Sequence, residues 1–406
     1  MMPRPYGGNT LTNNFIERSK IDRDLFILDI DKGQKKEIEN IAFGIFSPLK
    51  GFLNEQDFTS VVKRGRLAND LPWTIPIVLD VNVELANKIK DSTQVALRTD
   101  GKIFGLMDIG DTFAFDKIES AKSVFQTDDP AHPGFQKYVS MKDTLIEGEV
   151  KVIVNDSDGS GSGSGSDDDK GISNNGSIEN YSSTLNNFDE EFRMTPSQSR
   201  KTIQEQGWKS IVAFQTRNVP HVAHEMLQKA ALNIYDGLFI NPLIGKKKAG
   251  DFKDDVILNS YTVLIKNYYP KSRVIFSTLH TEMRYAGPKE AIHHAIMRQN
   301  FGCSHIIIGR DHAGVGNYYS PFAAHEIFKE YPELEIQPLF FPAFYFCKKC
   351  QGYFNERTCP HDQEFREELS GTKMRKMFSV GELPPSHLMR PEISQTILTY
   401  PRPFVE

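Results

Sequence analysis

Cysteine, charge of one sign and long apolar runs are all scarce in this sequence. The chain of 406 residues contains 4 cysteines and has a formal net charge of -5. So few cysteines argue against a disulfide framework. The slightly acidic balance lacks the basic field that proteins bound to nucleic acid carry, so any anion must be held locally. We therefore expect no nucleic-acid partner.

No apolar run approaches the roughly 18 residues of a membrane span, and the first residues, MMPRPYGGNTLTNN, contain no apolar signal-peptide core. We expect a cytoplasmic protein without a membrane partner. A P-loop pattern, Gly-x-x-x-x-Gly-Lys-Ser/Thr, is missing too, so we expect no fused kinase. The composition is otherwise that of a globular protein with room for two or three domains.

The composition changes along the chain and predicts its domains. Residues 1–155 contain short apolar runs between Asp, Gly and Asn turns, with little helical periodicity, which is typical of a mostly β domain. Residues 156–184 are rich in Gly, Ser and Asp and predict a flexible linker. We interpret the linker as a surface insertion without function; the alternative is an engineered or regulatory element.

Residues 185–336 alternate apolar runs of strand length with helical segments. The predicted strands are 210–215, 237–241, 273–279 and 305–309, and the predicted helices lie near 220–235, 253–268 and 288–300. This alternation predicts a doubly wound, parallel α/β sheet that binds its ligand beyond the carboxyl ends of the strands. An apolar stripe in the first helix would cover the sheet; it consists of Leu227, Ala230, Ala231 and Ile234.

The remaining residues, 337–406, look too short and irregular to continue the sheet, and we expect a small C-terminal domain there. It contains Cys347-x-x-Cys350 followed by Cys359-Pro-His361. Three thiolates and an imidazole suit a tetrahedral, structural Zn²⁺ site with no open position, and we favour this over free buried thiols. Cys303, which is remote from the cluster, is expected to be a core thiol.

Polar residues cluster where the first predicted strand ends. In order, they are Gln215, Thr216, Arg217, Asn218, His221 and His224. Arg217 offers a planar fork of donors that suits a tetrahedral oxyanion, while Gln215 and Asn218 add neutral donors. The two histidines share one face near the positive end of a helix, where phosphate binds well. Each residue alone fits an ordinary structural role, but together they indicate a binding site.

A second polar loop follows the strand at 305–309 and runs Gly309-Arg310-Asp311-His312-Ala313-Gly314-Val315-Gly316. Its glycines let backbone amides approach a nucleotide, and Arg310 and His312 can meet phosphate charge. The two loops resemble the motifs of the ATP sulfurylases. Further stretches similar to that family are 46–52, 250–252, 283–288 and 370–375, so the resemblance covers nearly the whole chain outside the linker.

This resemblance implies a PUA-like N-terminal domain, a Rossmann-like nucleotidyltransferase domain and the monofunctional, zinc-containing bacterial or archaeal type. The implied enzyme is a sulfate adenylyltransferase, which converts ATP and sulfate to adenosine 5'-phosphosulfate and pyrophosphate. The implied ATP-binding residues are Gln215, Thr216, Arg217, Asn218, Gly309, Arg310, Asp311 and His312. Those implied for sulfate are Gln215, Arg217 and the amide of Ala313. The implied catalytic group is Thr216, Arg217, Asn218, His221 and His224.

The charge of the substrates indicates the mechanism. Sulfate is fully ionised at neutral pH, so its attack on the α-phosphorus needs an in-line pose and relief of anion repulsion rather than a general base. Arg217, Asn218 and the histidines would therefore position the reactants. Mg²⁺ on the β and γ phosphates would neutralise the leaving pyrophosphate, although the sequence indicates no protein ligand for it.

Some alternatives stay open. Lys246, Lys247 and Lys248 form either a solvated loop or a phosphate-attracting rim. A related nucleotidyltransferase with another acceptor would share the fold, but Arg217 with Ala313 favours a compact tetrahedral anion. An inactive RNA-binding PUA protein is disfavoured by the acidic charge and by the completeness of both motifs. We expect a homo-oligomer, with a dimer as the default.

Overall fold

The structure, a computed structural model, describes residues 1–21, 24–154, 190–368 and 371–406. The predicted linker at 156–184 lies outside the described residues. Short 3-10 segments occur at Arg18–Lys20, Glu190–Phe192, Lys271–Arg273, Ile327–Glu330 and Gln363–Phe365. In the part of the chain that is described, no helix combines the length and the apolar character needed to cross a bilayer.

The described part of the N-terminal region is built on a 7-stranded sheet. Its strands are β1 (Phe15–Glu17), β2 (Phe26–Asp29), β3 (Gly51–Phe52), β4 (Leu79–Val81), β5 (Gln94–Thr99), β6 (Lys102–Ala114) and β7 (Thr144–Val154). Antiparallel pairs β5–β6 and β6–β7 form its centre, and β7 also pairs with β1, β3 and β4. The expected sheet is therefore present.

Helices also pack on this sheet, although we expected little helical periodicity there. They are α1 (Lys32–Ala42), α2 (Glu55–Arg64), α3 (Val83–Ile89), α4 (Lys117–Phe125) and α5 (Pro133–Val139). α3 and α5 have only 7 residues each, too few for a periodic pattern to emerge. Their starts are set by side-chain caps instead: Asn82 accepts the Leu85 N–H at α3, and His132 accepts the Phe135 N–H at α5.

The second sheet has 6 strands among the described residues, in the order β10-β9-β8-β12-β13 with β11 beside β9. They are β8 (Ile211–Thr216), β9 (Gly237–Ile244), β10 (Val274–Phe276), β11 (Leu279–His280), β12 (His305–Ile308) and β13 (Gln337–Phe340). All of its pairings are parallel. Because the strand order reverses at β8, the crevice between β8 and β12 is the switch point at which such sheets bind ligands.

The connecting and C-terminal helices are α6 (Pro196–Glu205), α7 (Val222–Leu232), α8 (Asp254–Tyr268), α9 (Pro288–Asn300), α10 (Ala323–Glu326), α11 (Gly371–Ser379) and α12 (Pro391–Leu398). The expected apolar stripe on α7 is wrong at its last position. α7 ends at Leu232, so Ile234 lies beyond it and is 76% exposed. The predicted strand 273–279 is also interrupted: Asn241 Nδ2 donates to Ser277 O at 2.6 Å, at the bend between β10 and β11.

The expectation that residues from 337 onward do not continue the sheet is wrong for β13, which pairs in parallel with β12. Beyond it, a 3-stranded sheet consists of β14 (Tyr345–Cys347), β15 (Gly352–Phe354) and β16 (Arg366–Glu368). The helix α12 returns to the large sheet, where Ile393 and Ile397 join the same apolar cluster as Val256 and Ile257 of α8. The C-terminal residues therefore complete the core of the parallel sheet.

The N-terminal region and the parallel sheet share one hydrophobic core. A single cluster of buried residues includes Ile41 and Phe46 as well as Ile292 and Ile296 of α9. Asn300, at the end of α9, donates from Nδ2 to Ile45 O and Ser47 O, both at 3.0 Å. α9 thus lies between the parallel sheet and the N-terminal region.

Candidate active site

The first polar loop leaves β8 in a tight turn. The Asn218 backbone N–H donates to Thr216 Oγ1, and that hydroxyl donates to Asn218 O, both at 3.1 Å. Thr216 is buried, so its side chain shapes the turn. The turn carries Arg217 over the ring of Tyr285, with 5.3 Å from the guanidinium carbon to the ring centroid. Among the described residues, Arg217 Nη1 is buried without a hydrogen-bond partner.

Arg217 lines a small cleft at the carboxyl ends of β8, β9 and β11. Other residues of its lining are Lys246, Lys247, Asp251, Thr281 and Tyr285. Lys247 also pairs with Asp254 at the start of α8. The lysine run therefore contributes two cations to the cleft that holds Arg217, which favours the rim over a purely solvated loop. Asp251 and Tyr285 lie in the family-like stretches 250–252 and 283–288, but the sequence indicated no individual role for them, and Thr281 was not singled out at all.

His221 and His224 stack on each other, with ring centroids 3.7 Å apart and planes inclined by 25°. His221 is the residue before α7, and His224 lies in its first turn. Burial lowers the pKa of His221 to about 4. Burial, and then the neighbouring His221, lowers the pKa of His224 well below its usual value. Both rings are thus neutral near pH 7 and act as hydrogen-bonding groups rather than cations.

The second polar loop follows β12 and contains two left-handed residues that are not glycine. They are Asp311, with φ 55°, and Ala313, with φ 59°. A Cβ at Gly314 would lie 2.0 Å from Asp311 Oδ1, so a larger residue here would displace the Asp311 carboxylate. The Gly287 backbone N–H donates to Ala313 O at 3.2 Å and ties the loop to the segment before α9. Such strain is characteristic of functional loops that expose backbone amides.

The two loops lie at neighbouring strand ends, as the sequence predicted. β8 and β12 pair in parallel, with Val212 opposite His305 and Ala213 opposite Ile306. Burial raises the pKa of Asp311, against the opposing effect of the Arg217 and Arg310 guanidinium groups. Arg217 is therefore within electrostatic range of the second loop.

Among the described residues, no direct hydrogen bond joins the remaining predicted site residues of the first loop to those of the second. Arg310 is exposed. Within the described ranges, no hydrogen bond or ring contact links His221 or His224 to the second loop; His224 instead contacts Phe214, with ring centroids 5.2 Å apart. Gln215 Oε1 is buried at the end of β8 without a partner among the described residues. The binding and catalytic roles of these residues remain predictions.

Two buried polar residues of α9 support the second loop and were also missed. His294 Nδ1 lies 3.1 Å from His312 Nε2. Glu290 accepts the backbone N–H groups of Arg284 at 2.9 Å and Ala286 at 3.0 Å, on either side of Tyr285. The available signal was their four-residue spacing, which puts both residues on one face of the helix.

The cysteine cluster is assembled as predicted. One ligand atom from each of Cys347, Cys350, Cys359 and His361 lies within 4.8 Å of the others. The Sγ atoms of Cys350 and Cys359 are 4.0 Å apart, and His361 Nδ1 is 3.1 Å from Cys350 Sγ and 3.5 Å from Cys347 Sγ. These spacings are close to the edges of a tetrahedron with metal–sulfur bonds of about 2.3 Å. The cluster can therefore hold a metal ion.

Comparison with known proteins decides the family. A family model described as ATP-sulfurylase matches residues 190–400, and one described as a PUA-like domain matches residues 3–155. The chain belongs to the ATP-sulfurylase family. Its relatives include the sulfate adenylyltransferases of Cenarchaeum symbiosum, 44% identical over 99% of this chain and 98% of that protein, and Carboxydothermus hydrogenoformans, 38% identical over 97% and 96%. The ATP-sulfurylase family, fold class and enzyme class expected from the sequence are thus confirmed.

A solved structure described as a hexameric APS kinase from Thiobacillus denitrificans has the same fold as this ATP-sulfurylase family member. The TM-score is 0.72 over 99% of this chain and 69% of that chain, with 20% sequence identity. At that identity the likeness shows the fold alone.

Proposed function

We propose that the chain transfers the adenylyl group of ATP to sulfate, by direct in-line attack of a sulfate oxygen on the α-phosphorus. A new sulfate O–P bond forms, the bond to the bridging oxygen of pyrophosphate breaks, and adenosine 5'-phosphosulfate and pyrophosphate leave. No proton moves, because sulfate is already ionised. The protein's task is to hold two anions together in one orientation.

The observation that carries this proposal is the position of Arg217. Its guanidinium lies in a cleft with Lys246 and Lys247, and its Nη1 is not used by any described side chain. A guanidinium fork with a free N–H edge matches two oxygens of a tetrahedral anion. The ring of Tyr285 holds the other side of the group, so the fork is pre-organised. Sulfate would be bound by Gln215, Arg217 and the amide of Ala313.

The nucleotide would occupy the switch-point crevice between β8 and β12. Gln215, Thr216, Arg217 and Asn218 would contact it from one side, and Gly309, Arg310, Asp311 and His312 from the other. Thr216 would act by shaping the turn that carries Arg217. Neutral His221 and His224, beside the N-terminus of α7, would donate N–H groups to the phosphates as charge develops on the leaving oxygen.

Sulfate-dependent release of pyrophosphate from ATP tests the proposal. We expect release in the intact protein and a loss of roughly 100-fold or more in Arg217→Ala, as for removal of a donor to developing charge. Arg217→Lys, which keeps the charge but not the fork, should recover only part of the rate. Arg64→Ala, on an exposed ion pair, is the matched control. Release without sulfate, or at full rate in Arg217→Ala, would overturn the assignment.

Two metals accompany this function. Mg²⁺ would arrive on the β and γ phosphates of ATP and neutralise the leaving pyrophosphate. We further propose that the Cys347, Cys350, Cys359 and His361 cluster holds one structural Zn²⁺, since thiolate and imidazole donors suit this ion and all four positions are filled by protein.

Metal analysis of the purified chain tests the zinc proposal. We expect one zinc per chain, and Cys350→Ser should weaken binding by more than the roughly 10- to 100-fold that loss of a supporting contact costs. Cys303→Ala removes the remaining thiol, which is buried outside the cluster, and should leave zinc content unchanged. Metal-free protein of unchanged stability would contradict a structural zinc.

The last part of the proposal concerns the compartment, the oligomeric state and the domain organisation. We propose a cytoplasmic homo-oligomer; the structural neighbour is described as hexameric, whereas a dimer is the general default. Light scattering at several concentrations distinguishes the two. The proposed organisation is a PUA-like domain at 1–155, a linker at 156–184 and a catalytic domain from 185, and the boundary expected at 336 moves beyond β13, which is a strand of the catalytic sheet. Because β13 and α12 belong to the large sheet and its core, we expect a chain truncated at 336 not to fold.

A further inference from the structure

A row of buried polar side chains runs along one face of α9. Glu290, His294 and Arg298 follow at four-residue spacing, and their exposed fractions are 1%, 1% and 0%. Charged side chains are rarely buried to this extent unless they are paired or serve a function. None of the three belongs to the two loops on which the proposed function depends. The row nevertheless reaches the second loop, because His294 contacts His312.

The contacts of Glu290 determine which nitrogen of His294 carries a proton. Glu290 Oε1 accepts the Arg284 N–H at 2.9 Å, and Oε2 accepts the Ala286 N–H at 3.0 Å. His294 Nε2 lies 3.4 Å from Glu290 Oε1. Burial raises the pKa of Glu290, but the two backbone N–H donors and the Arg284 charge favour its ionised form. An ionised carboxylate can only accept, which makes His294 Nε2 the donor in this contact. In a neutral imidazole, Nδ1 then has no proton and can only accept.

The protonation of His294 in turn determines that of His312. His294 Nδ1 lies 3.1 Å from His312 Nε2, so His312 Nε2 carries the proton that is shared between them. Burial keeps the pKa of His312 well below its usual value; His294, Arg298 and Arg217 act in the same direction, and only Glu290 opposes them. The ring is therefore neutral, and its Nδ1 carries a lone pair.

We propose that Glu290 and His294 are positioning residues that hold His312 as the Nε2–H tautomer, so that His312 Nδ1 accepts a hydrogen bond from a neutral donor of the bound nucleotide. The nucleotide itself rests on the proposed function. A phosphate oxygen only accepts hydrogen bonds, so it cannot be the partner of this nitrogen. His312 would thus bind a hydroxyl or amino group of the nucleoside, and not the phosphate charge that the sequence suggested for it.

Histidine labelled with nitrogen-15 reports the tautomer directly. In the free protein and with ATP bound, we expect His312 to show a protonated Nε2 and a bare Nδ1. His294→Gln moves the acceptor from the position of Nδ1 to that of Nε2, away from His312, and should abolish this preference. It should also raise KM for ATP roughly tenfold, the cost of about one hydrogen bond, with a smaller change in kcat. His294→Asn places an amide oxygen near the position of Nδ1 and should restore most of both properties.

His293→Gln is the matched control. His293 is the neighbouring residue, equally buried at 1%, but its ring packs on Phe46 and Trp73, with centroids 5.2 and 5.4 Å away. Its substitution should leave the His312 tautomer and KM unchanged, even if it lowers the melting temperature as much as His294→Gln does. Should His294→Gln not fold, the spectra of His294→Asn and of Glu290→Gln, in which one acceptor becomes a donor, decide the question.

A proton on His312 Nδ1 in the ATP complex would overturn this inference, and so would equal effects of the His293 and His294 substitutions on ATP binding. Because the spectra require no turnover, the result is separate from the test of the proposed function. If the protein shows the expected tautomer but no sulfate-dependent release of pyrophosphate, the proposed function is contradicted and the inference about His312 is not.

Discussion

The guanidinium of Arg217 lies over the ring of Tyr285, 5.3 Å from its centroid, and joins the loop after β8 to the segment before α9. Tyr285 itself is held in a left-handed conformation, with φ 61°. Its carbonyl oxygen lies 3.1 Å from both His132 Nε2 and the Tyr319 hydroxyl. His132 belongs to the N-terminal region, so that region helps to place the residue on which Arg217 rests.

Replacing Tyr285 should therefore weaken sulfate binding more than ATP binding. We expect Tyr285→Leu to raise KM for sulfate roughly 3- to 30-fold, which corresponds to the loss of a cation–π contact. Tyr285→Phe keeps the ring and should stay close to wild type. Steady-state kinetics with each substrate varied in turn measure the effect. Equal behaviour of Phe and Leu at this position would contradict a role for the ring.

Two glycines of the second loop should respond differently to alanine. A Cβ at Gly309 meets no atom within 4 Å, whereas a Cβ at Gly314 would collide with Asp311. Gly314→Ala should cost about 1–3 kcal/mol of stability through overpacking. Gly309→Ala should fold normally yet raise KM for ATP roughly tenfold, because the nucleotide would meet the added methyl. Urea unfolding and kinetics on both variants separate these effects, and an unchanged KM in Gly309→Ala would argue against close approach of the nucleotide there.

The buried carboxylate of Glu225 ties α7 to the C-terminal segment. Arg390 donates to it from Nε at 3.0 Å and Nη2 at 2.8 Å, and Lys229 adds a contact at 2.6 Å. Burial pushes the pKa of Glu225 up, but these hydrogen bonds outweigh burial and leave the pKa below its usual value. Arg390→Ala should therefore destabilise the fold, near the lower end of the roughly 3–5 kcal/mol for breaking a buried pair, since Lys229 remains.

The control for this prediction is Arg402→Ala, which removes an exposed ion pair with Glu406. Urea unfolding of both variants measures the difference. Arg402→Ala should change the free energy of unfolding by less than about 0.5 kcal/mol. Comparable losses in both variants would mean that the Glu225 pair contributes no more than a surface pair.

The depressed pKa of His221 should appear as a pH dependence of stability. The unfolded chain binds a proton at this residue as pH falls below its usual value of 6.5, whereas the folded chain does so only near its folded pKa of about 4. Stability therefore rises with pH across that window and is lost as pH falls through it. His221→Asn should lose less stability than wild type between about pH 7 and pH 5 in urea titrations without substrate. An equal loss of stability in wild type and in His221→Asn between these two pH values would contradict a buried neutral His221 ring.

The sequence predicted the repeating part of the fold well. Strands with strong apolar runs, such as β8 and β12, and the long helices α8 and α9 were found near their true bounds because burial on one or both sides leaves a regular pattern. Short elements were missed or misjudged. α3 and α5 are set by local caps, and β13 is recognisable as a strand of the sheet only through its pairing with β12.

Part of the candidate site could also be predicted from the sequence. Arg217 and the second loop stand in contiguous motifs, so their residues could be chosen from sequence alone. Tyr285 and His294 lie between these two loops; the family-like stretch 283–288 includes Tyr285 but gives it no role, and the importance of both residues depends on what they touch. No residue type or spacing in the sequence shows that a tyrosine ring supports a guanidinium some 70 positions away.

By itself, the sequence determined the alternation of strands and helices between residues 210 and 309, the two polar loops and the cysteine cluster, because local periodicity and motif chemistry depend on residues close together in the chain. The tertiary structure alone decided that β13 joins the parallel sheet, that α9 packs against the N-terminal region, and that Glu290 and His294 lie behind His312. The physical reason is that hydrogen bonds and desolvation act over a few ångströms in space, whatever the separation along the chain.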